Sequence, residues 1–175
     1  VFNLSTYHEY LGEYSTALRL LHLAREIDIK LGYKQENDIF YYNRLSEILY
    51  NQGQYDLALR YLHKAWNAQV ESNYWHAYFT PVLHQNFAWL YLELGVDELA
   101  EYHAKLTYSK TKQDSLRTTR VSALEVLSTV ARNKGDNEKA LNYAKSALQL
   151  SKAYGDDYYI IYSYLFLLEH YTHVN

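Results

Sequence analysis

The side chains that most often do chemistry in proteins are either missing from this 175-residue sequence or arranged without a catalytic pattern. There is no Cys, which excludes a thiol nucleophile, a thiolate metal site and a disulfide framework. The sequence also lacks a Gly-rich phosphate-binding loop and a Gly-x-Ser-x-Gly motif. Its Ser and Asp residues stand where helix caps and small packing contacts explain them. We therefore expect a protein that is not an enzyme and has no cofactor.

Eight His residues raise the question of a metal site. His170 and His173 are the one pair with a spacing of three residues, and the sequence has no His-Glu-x-x-His motif. His22 and His63 occupy equivalent positions in two of the repeats described below. Packed helices lie roughly 8–10 Å apart, which is too far for these two side chains to share an ion comfortably. We interpret the His residues as structural and expect no metal.

The elements that must position the remaining polar side chains repeat along the chain. Gly12, Gly53, Gly95 and Gly135 each begin a similar string of six residues ending in Ala, at intervals of 41, 42 and 40. Asn175 follows after one more interval of this length and can take the same turn role. Apolar residues before each turn fall at helical spacing, and neither strand alternation nor an Asn-Gly hairpin occurs. The sequence therefore predicts an all-α array of helical hairpins.

Small side chains indicate where the two helices of each hairpin approach closely. Seven residues before the turn residue the side chain is Ser or Ala in four units, and only Leu168 departs from this pattern. Five residues after the turn residue, the same four units have Ala. These positions are Ser5, Ser46, Ala88 and Ser128 before the turn, and Ala17, Ala58, Ala100 and Ala140 after it.

The expected helix boundaries agree with this period. Thr80 followed by Pro81 predicts a helix start, with Thr80 as the N-cap and Pro81 in the first helical position. The second helices are expected to end at a fixed distance past each turn residue, at Gly32, Asn73, Ser115 and Gly155. The approximate units are 1–33, 34–75, 76–115 and 116–156, with a partial fifth unit at 157–175.

Charge and composition argue against two classes of function. The chain has 17 basic and 20 acidic side chains, unlike a typical basic nucleic-acid-binding protein. Its longest apolar-looking stretch, residues 158–168, is too short to span a bilayer, and no signal peptide is recognisable. We expect no direct nucleic-acid binding and no membrane insertion by this segment. Because the sequence opens at Val1, we interpret it as a piece of a longer protein. The absence of Cys suits the cytoplasm, which we favour, or the periplasm.

The repeats resemble the tetratricopeptide repeat, whose first helix carries Trp-x2-Leu-Gly-x2-Tyr and whose second carries Tyr-x2-Ala-x3-Phe-x2-Ala after a turn Gly. Leu45-Ser46 stands at the Leu-Gly pair. The match to the second half comprises Gly53, Tyr55, Ala58, Leu62 and Ala65. The period exceeds the family's usual value of about 34 residues, and the Pro after the second helix is absent. The chain is thus similar to the long-repeat branch, which includes kinesin light chain and bacterial peptide-pheromone receptors. The resemblance implies a right-handed superhelical solenoid of stacked antiparallel hairpins.

The resemblance also implies a concave groove, which is lined by set positions of each first helix counted back from the turn residue. The candidates carried over to this sequence are Asn43, Arg44, Glu47, Tyr50, Asn51, Gln85, Asn86, Trp89, Glu93, Glu125, Thr129, Arg132 and Asn133. Amides both donate and accept hydrogen bonds, so several of them could bind the backbone of an extended peptide. The aromatic residues could anchor a ligand, and the two Arg could meet a carboxylate. Most of the 21 Tyr recur at packing positions, which leaves Tyr10, Tyr50 and Tyr162 as groove candidates.

The predicted function is a protein- or peptide-binding scaffold, with the parent resembling a bacterial regulatory or sensory signalling protein. The alternative is a structural spacer or homodimerisation module without a peptide ligand, in which the inner-face residues are merely solvated. A local excess of basic charge is also open to two interpretations. Residues 101–152 carry ten basic and five acidic side chains, which suits either a solvated connector or a dock for an acidic partner or domain.

Overall fold

A computed structural model describes residues 2–32, 37–71, 76–111, 116–155 and 157–173. These ranges contain nine α-helices and no strand. The helices are α1 (Phe2–Tyr10), α2 (Tyr14–Leu31), α3 (Asp38–Asn51), α4 (Tyr55–Glu71), α5 (His76–Glu93), α6 (Asp97–Lys110), α7 (Arg117–Asn133), α8 (Asn137–Tyr154) and α9 (Asp157–His173). The prediction of an all-α array is confirmed.

The chain divides into two compact units, Val1–Leu83 and His84–Asn175. In the first unit α1 pairs with α2, α3 pairs with α4, and α2 also contacts α3. In the second unit α7 packs against both α6 and α8, and α8 packs against α9. The helical hairpins predicted from the repeats are therefore present as antiparallel neighbours.

The predicted turns need a backbone conformation that Gly adopts without strain. The four turn residues have φ between +72° and +77° and are Gly12, Gly53, Gly95 and Gly135. The ends of two second helices are also confirmed, because Gly32 and Gly155 are left-handed C-caps of α2 and α8. Asn73, Ser115 and Asn175 lie outside the described residues.

Close approach of the paired helices occurs at the predicted small residues. In three hairpins the Ser hydroxyl donates a hydrogen bond to the carbonyl oxygen of the Ala that follows the turn. The bonds are Ser5–Ala17 at 2.8 Å, Ser46–Ala58 at 2.9 Å and Ser128–Ala140 at 2.6 Å. All of these residues are buried, as are Ala88 and Ala100 at the equivalent positions of the hairpin without a hydroxyl.

Substitution of Ser128 should distinguish the two roles of its side chain. We expect Ser128→Leu to lower the free energy of unfolding by about 2 kcal/mol, because the site is fully buried and a larger side chain would force α7 and α8 apart. Ser128→Ala should cost about 1 kcal/mol or less, since it removes only the hydrogen bond. Urea denaturation followed by circular dichroism measures both. Equal losses in the two variants would contradict the close-approach interpretation.

The start of α5 differs from the prediction. The helix runs continuously from His76 to Glu93, with Pro81 inside it instead of in its first position. The Pro81 ring is fully buried, and this burial offsets the hydrogen bond that a helix loses at an interior Pro. Thr80 does not cap the helix, because it is the fifth residue of α5. Its Oγ1 accepts a hydrogen bond of 2.5 Å from Gln69 Nε2 on α4. Tertiary packing has overridden a local boundary signal.

Candidate functional site

A connected group of polar side chains joins the two first helices of the first unit. Arg44 on α3 donates through Nη2 to Glu9 on α1 and through Nη1 to Glu47, one turn further along α3. Asn43 Nδ2 donates to the other oxygen of Glu47 at 2.8 Å. Asn51 Nδ2 donates to the other oxygen of Glu9, also at 2.8 Å. We call these five residues the Arg44 network; three of them are charged and sum to −1.

The Arg44 network is partly withdrawn from water. The Glu9 side chain is 8% exposed, whereas those of Arg44 and Glu47 are 25% and 24% exposed. Burial raises the pKa of the Glu9 carboxyl, because the cost of desolvating its charge outweighs the attraction of Arg44. Asn43 is buried. Four groove candidates from the sequence therefore lie together: Asn43, Arg44, Glu47 and Asn51. Hydrogen bonds to one another and to Glu9 fix their orientation, and Arg44 and Glu47 remain partly exposed to solvent.

The candidate tyrosines differ in exposure. Tyr10 is 86% exposed, the highest value among the large hydrophobic side chains of the described residues. Tyr50 is half-buried and its ring lies 5.5 Å from that of Tyr55 on α4, so it takes part in packing within the hairpin. Tyr162 on α9 is exposed. The two exposed rings have the area that a ligand could cover.

In the second unit, Trp89 connects α5 to α7. Its indole Nε1 donates a hydrogen bond of 2.7 Å to the hydroxyl of Ser122. Its ring packs against a buried apolar cluster made up of Ala88, Ala100, Ala104, Val126, Leu127 and Val130. Trp89 is therefore a half-buried bridge between two helices and not a freely projecting anchor.

Glu125 on α7 lies in the interior, although its position was expected to line a solvated groove. The residue is 2% exposed, and burial raises the pKa of its carboxyl to about 7. Among the described residues, its Oε1 atom has no hydrogen-bond partner. The nearby Thr129 hydroxyl donates at 3.1 Å to the backbone carbonyl of Glu125 and not to its carboxyl.

The remaining candidates of the second unit are only partly available to a ligand. Asn133 Nδ2 donates at 3.1 Å to Asp97 in the first turn of α6. Gln85, Asn86 and Arg132 are half-buried. Glu93 is exposed.

A contact between the buried His84 and the half-buried His103 in the second unit was not anticipated from the sequence. The Nδ1 atoms of His84 on α5 and His103 on α6 lie 3.0 Å apart, and the His103 ring stacks 4.9 Å from that of Phe87. Burial, with a smaller contribution from Lys110, lowers the pKa of His84 to about 4. The separation of the two His along the chain matches no known motif, so no sequence signal could have indicated the contact. Within the described ranges no three His, Asp or Glu residues come together as metal ligands.

The basic stretch 101–152 uses much of its charge internally. Glu101 accepts from both Lys105 and Lys134 at 2.6 Å, and these hydrogen bonds lower the pKa of Glu101 to about 2. The Arg120 guanidinium lies 4.5 Å from the centroid of the Tyr108 ring. The dock for an acidic partner stays a prediction. In the described part of the chain, no helix has both the length and the apolar character needed to cross a membrane.

Comparison with known proteins relates part of the sequence, and the fold, to a described repeat. Residues 41–71, which cover most of α3 and all of α4, match the family model of the tetratricopeptide repeat. The fold is similar to a crystal structure of nearly identical TPR-like repeats in a Podosopora anserina protein described as a kinesin light chain. That likeness has a TM-score of 0.70 at 14% identity and covers 98% of this chain and 83% of the other. No curated protein is significantly similar in sequence.

Proposed function

We propose that this chain binds a peptide or protein segment on the faces of its first helices. Its residues 41–71 match the tetratricopeptide repeat, and its fold is similar to that of TPR-like repeats. This fold generally serves as a protein-interaction scaffold. The observation that carries the proposal is the Arg44 network. It lies at first-helix positions, it is connected throughout, and the edges of Arg44 and Glu47 remain in contact with solvent.

The composition of the Arg44 network supports recognition over a purely architectural role. Partly buried ion pairs contribute little net stability compared with well-packed apolar residues. Asn is also a poor residue inside a helix, yet Asn43 lies in the interior of α3. Charged and amide groups that are already oriented can bind a ligand without the entropic cost of ordering long side chains at that moment.

The proposed biological setting is the regulatory or sensory arm of a larger bacterial signalling protein. It rests on the resemblance of the long repeats to such arrays. The fold family is generally non-catalytic, and we propose that this chain contributes binding and leaves any catalytic output to another part of its parent.

A second candidate function is homodimerisation or spacing. The observation that favours it is a row of apolar side chains on α9, where Ile161, Leu165 and Leu168 are 61%, 60% and 59% exposed. Leu168 also occupies the position that is Ser or Ala in the other units. Multi-angle light scattering across a concentration series tests it. A mass that stays at one chain, 20.7 kDa, at every concentration would exclude the dimer.

Peptide binding can be tested with a ligand selected from a peptide-display library. We expect isothermal titration to show that the double variant Asn43→Ala, Asn86→Ala binds the selected peptide at least tenfold more weakly than the wild type, which corresponds to about 1.4 kcal/mol. The reason is that Asn43 orients Glu47 within the Arg44 network, while the half-buried amide of Asn86 stands at a first-helix position where it could bind a peptide backbone.

A matched control is available in each unit. Asn67 on α4 and Asn142 on α8 are exposed Asn residues of second helices, and the double variant Asn67→Ala, Asn142→Ala should bind within twofold of the wild type. Unchanged affinity in the first-helix variant, with folding verified by circular dichroism, would contradict the groove model.

A further inference from the structure

One face of α7 carries a polar row next to Trp89. Ser122, Glu125 and Thr129 follow one another at spacings of three and four residues, so they lie on the same face of the helix. Trp89 bonds to Ser122 at the start of this row, and its ring packs against the apolar cluster that contains Val126, the residue after Glu125. Trp89 is therefore bonded to the residue that stands one turn before Glu125 on the same face of α7.

The Glu125 carboxyl lacks a counterpart among the described residues. The residue is only 2% exposed, and Oε1 lacks a hydrogen-bond partner among the described residues. Burial is the cause that raises its pKa, and within the described ranges no neighbouring cation compensates the charge. Buried polar groups are nearly always hydrogen-bonded, and one left unpaired costs free energy. An acidic group kept in such a place is complementary to a cation that the described residues do not supply.

The candidate binding residues carry more acidic than basic side chains in each unit. In the first unit Glu9 and Glu47 accompany the single cation Arg44. In the second unit Glu93 and Glu125 accompany the single cation Arg132. The acidic excess at these candidate positions favours a basic partner there, although α7 also carries Arg117 and Arg120 outside them.

We infer that Glu125 and Trp89 form a subsite for a basic side chain, Lys or Arg, of the bound segment. This inference rests on the proposed function and specifies the chemistry of its ligand. Displacement of the indole from Ser122 would open the site, the Glu125 carboxylate would pair with the cation, and the ring face would contact it through a cation–π interaction. The freed Ser122 hydroxyl would accept a hydrogen bond from the same cation.

The subsite can be probed without knowing the natural ligand. n-Butylguanidinium carries the charged head of Arg, and n-butylurea is its neutral counterpart. We expect titration of the full ¹⁵N-labelled chain with n-butylguanidinium to shift the Trp89 indole resonance, assigned with Trp89→Phe, in a saturable manner. n-Butylurea should leave the resonance in place. Equal responses to the two probes, or no saturable response to n-butylguanidinium, would overturn the inference.

Two Glu→Gln variants complete the experiment. Glu125→Gln, which replaces the carboxyl by an amide of the same shape, should weaken n-butylguanidinium binding at least fivefold. Glu98→Gln, at an exposed glutamate of the same unit, should change it less than twofold, and equal effects would overturn the inference. The selected peptide separates the two proposals. If Asn43→Ala, Asn86→Ala weakens its binding while neither n-butylguanidinium nor Glu125→Gln has an effect, the scaffold function stands and the cation subsite is wrong.

Discussion

Glu125→Gln is expected to raise the free energy of unfolding by about 3 kcal/mol at pH 8, because a buried carboxyl whose pKa is about 7 in place of 4.5 opposes folding once it ionises. Below pH 4.5 the carboxyl is protonated in both the folded and the unfolded state, so the variant and the wild type should be equally stable. Between pH 4.5 and 7 the unfolded chain loses its proton while the folded chain retains it, and the wild type loses stability as the pH rises.

Urea denaturation at intervals from pH 4 to 8 measures this difference directly. The stability of Glu98→Gln should follow the wild type at every pH, since Glu98 is exposed. A gap between Glu125→Gln and the wild type that does not grow with pH would show that the carboxyl is solvated in the folded protein. Together with the n-butylguanidinium titration, Glu125→Gln separates the effect of the carboxyl on stability from its effect on cation binding. It should be more stable than the wild type and yet bind n-butylguanidinium more weakly, which is the relation expected when a destabilising group is kept for binding.

The parts of this molecule that follow local rules could be predicted from its sequence. Gly53 marks a turn because the turn needs a positive φ, and Ser46 marks a close helix contact because only a small side chain fits between α3 and α4. By its local preference Pro81 indicates the first position of a helix, but the burial of its ring inside α5 outweighs this preference. The interior position of Glu125 could not be predicted, because exposure of a first-helix residue depends on the side chains that neighbouring helices place over it.

The Arg44 network illustrates the same distinction. Asn43, Arg44 and Glu47 are predicted as candidates because they stand at the first-helix positions that line the groove in the family they resemble. Position in a helix alone does not say whether such side chains project into solvent or bind one another. Glu9 joins them because α1 lies beside α3, a contact between residues 35 positions apart in the sequence. Side chains that satisfy one another need a stability measurement, as well as a binding one, to define their role.

Arg44→Met is expected to lower the free energy of unfolding by about 3 kcal/mol at pH 7, which is at the low end for breaking a buried ion pair because the site keeps some contact with water. Met retains the apolar stem and removes the cation, so Glu9 loses the partner that offsets the cost of its burial. The loss should be smaller at pH 4.5 than at pH 7, because burial raises the pKa of the Glu9 carboxyl and a protonated Glu9 no longer needs a counter-charge. Urea denaturation at pH 7 and pH 4.5 measures both effects.

Two further variants decide what the loss means. Arg19 on α2 is exposed, so Arg19→Met should cost less than about 0.5 kcal/mol. The triple variant Glu9→Gln, Arg44→Met, Glu47→Gln leaves no uncompensated charge and should recover stability to within about 1 kcal/mol of the wild type. A cost below about 1 kcal/mol for Arg44→Met at both pH values would show that water already screens these charges, and the Arg44 network would then not be the pre-oriented surface that the proposed function requires. The triple variant could instead recover its stability and bind the selected peptide more weakly. That result would mean that these charges serve recognition, because the fold is equally stable without them.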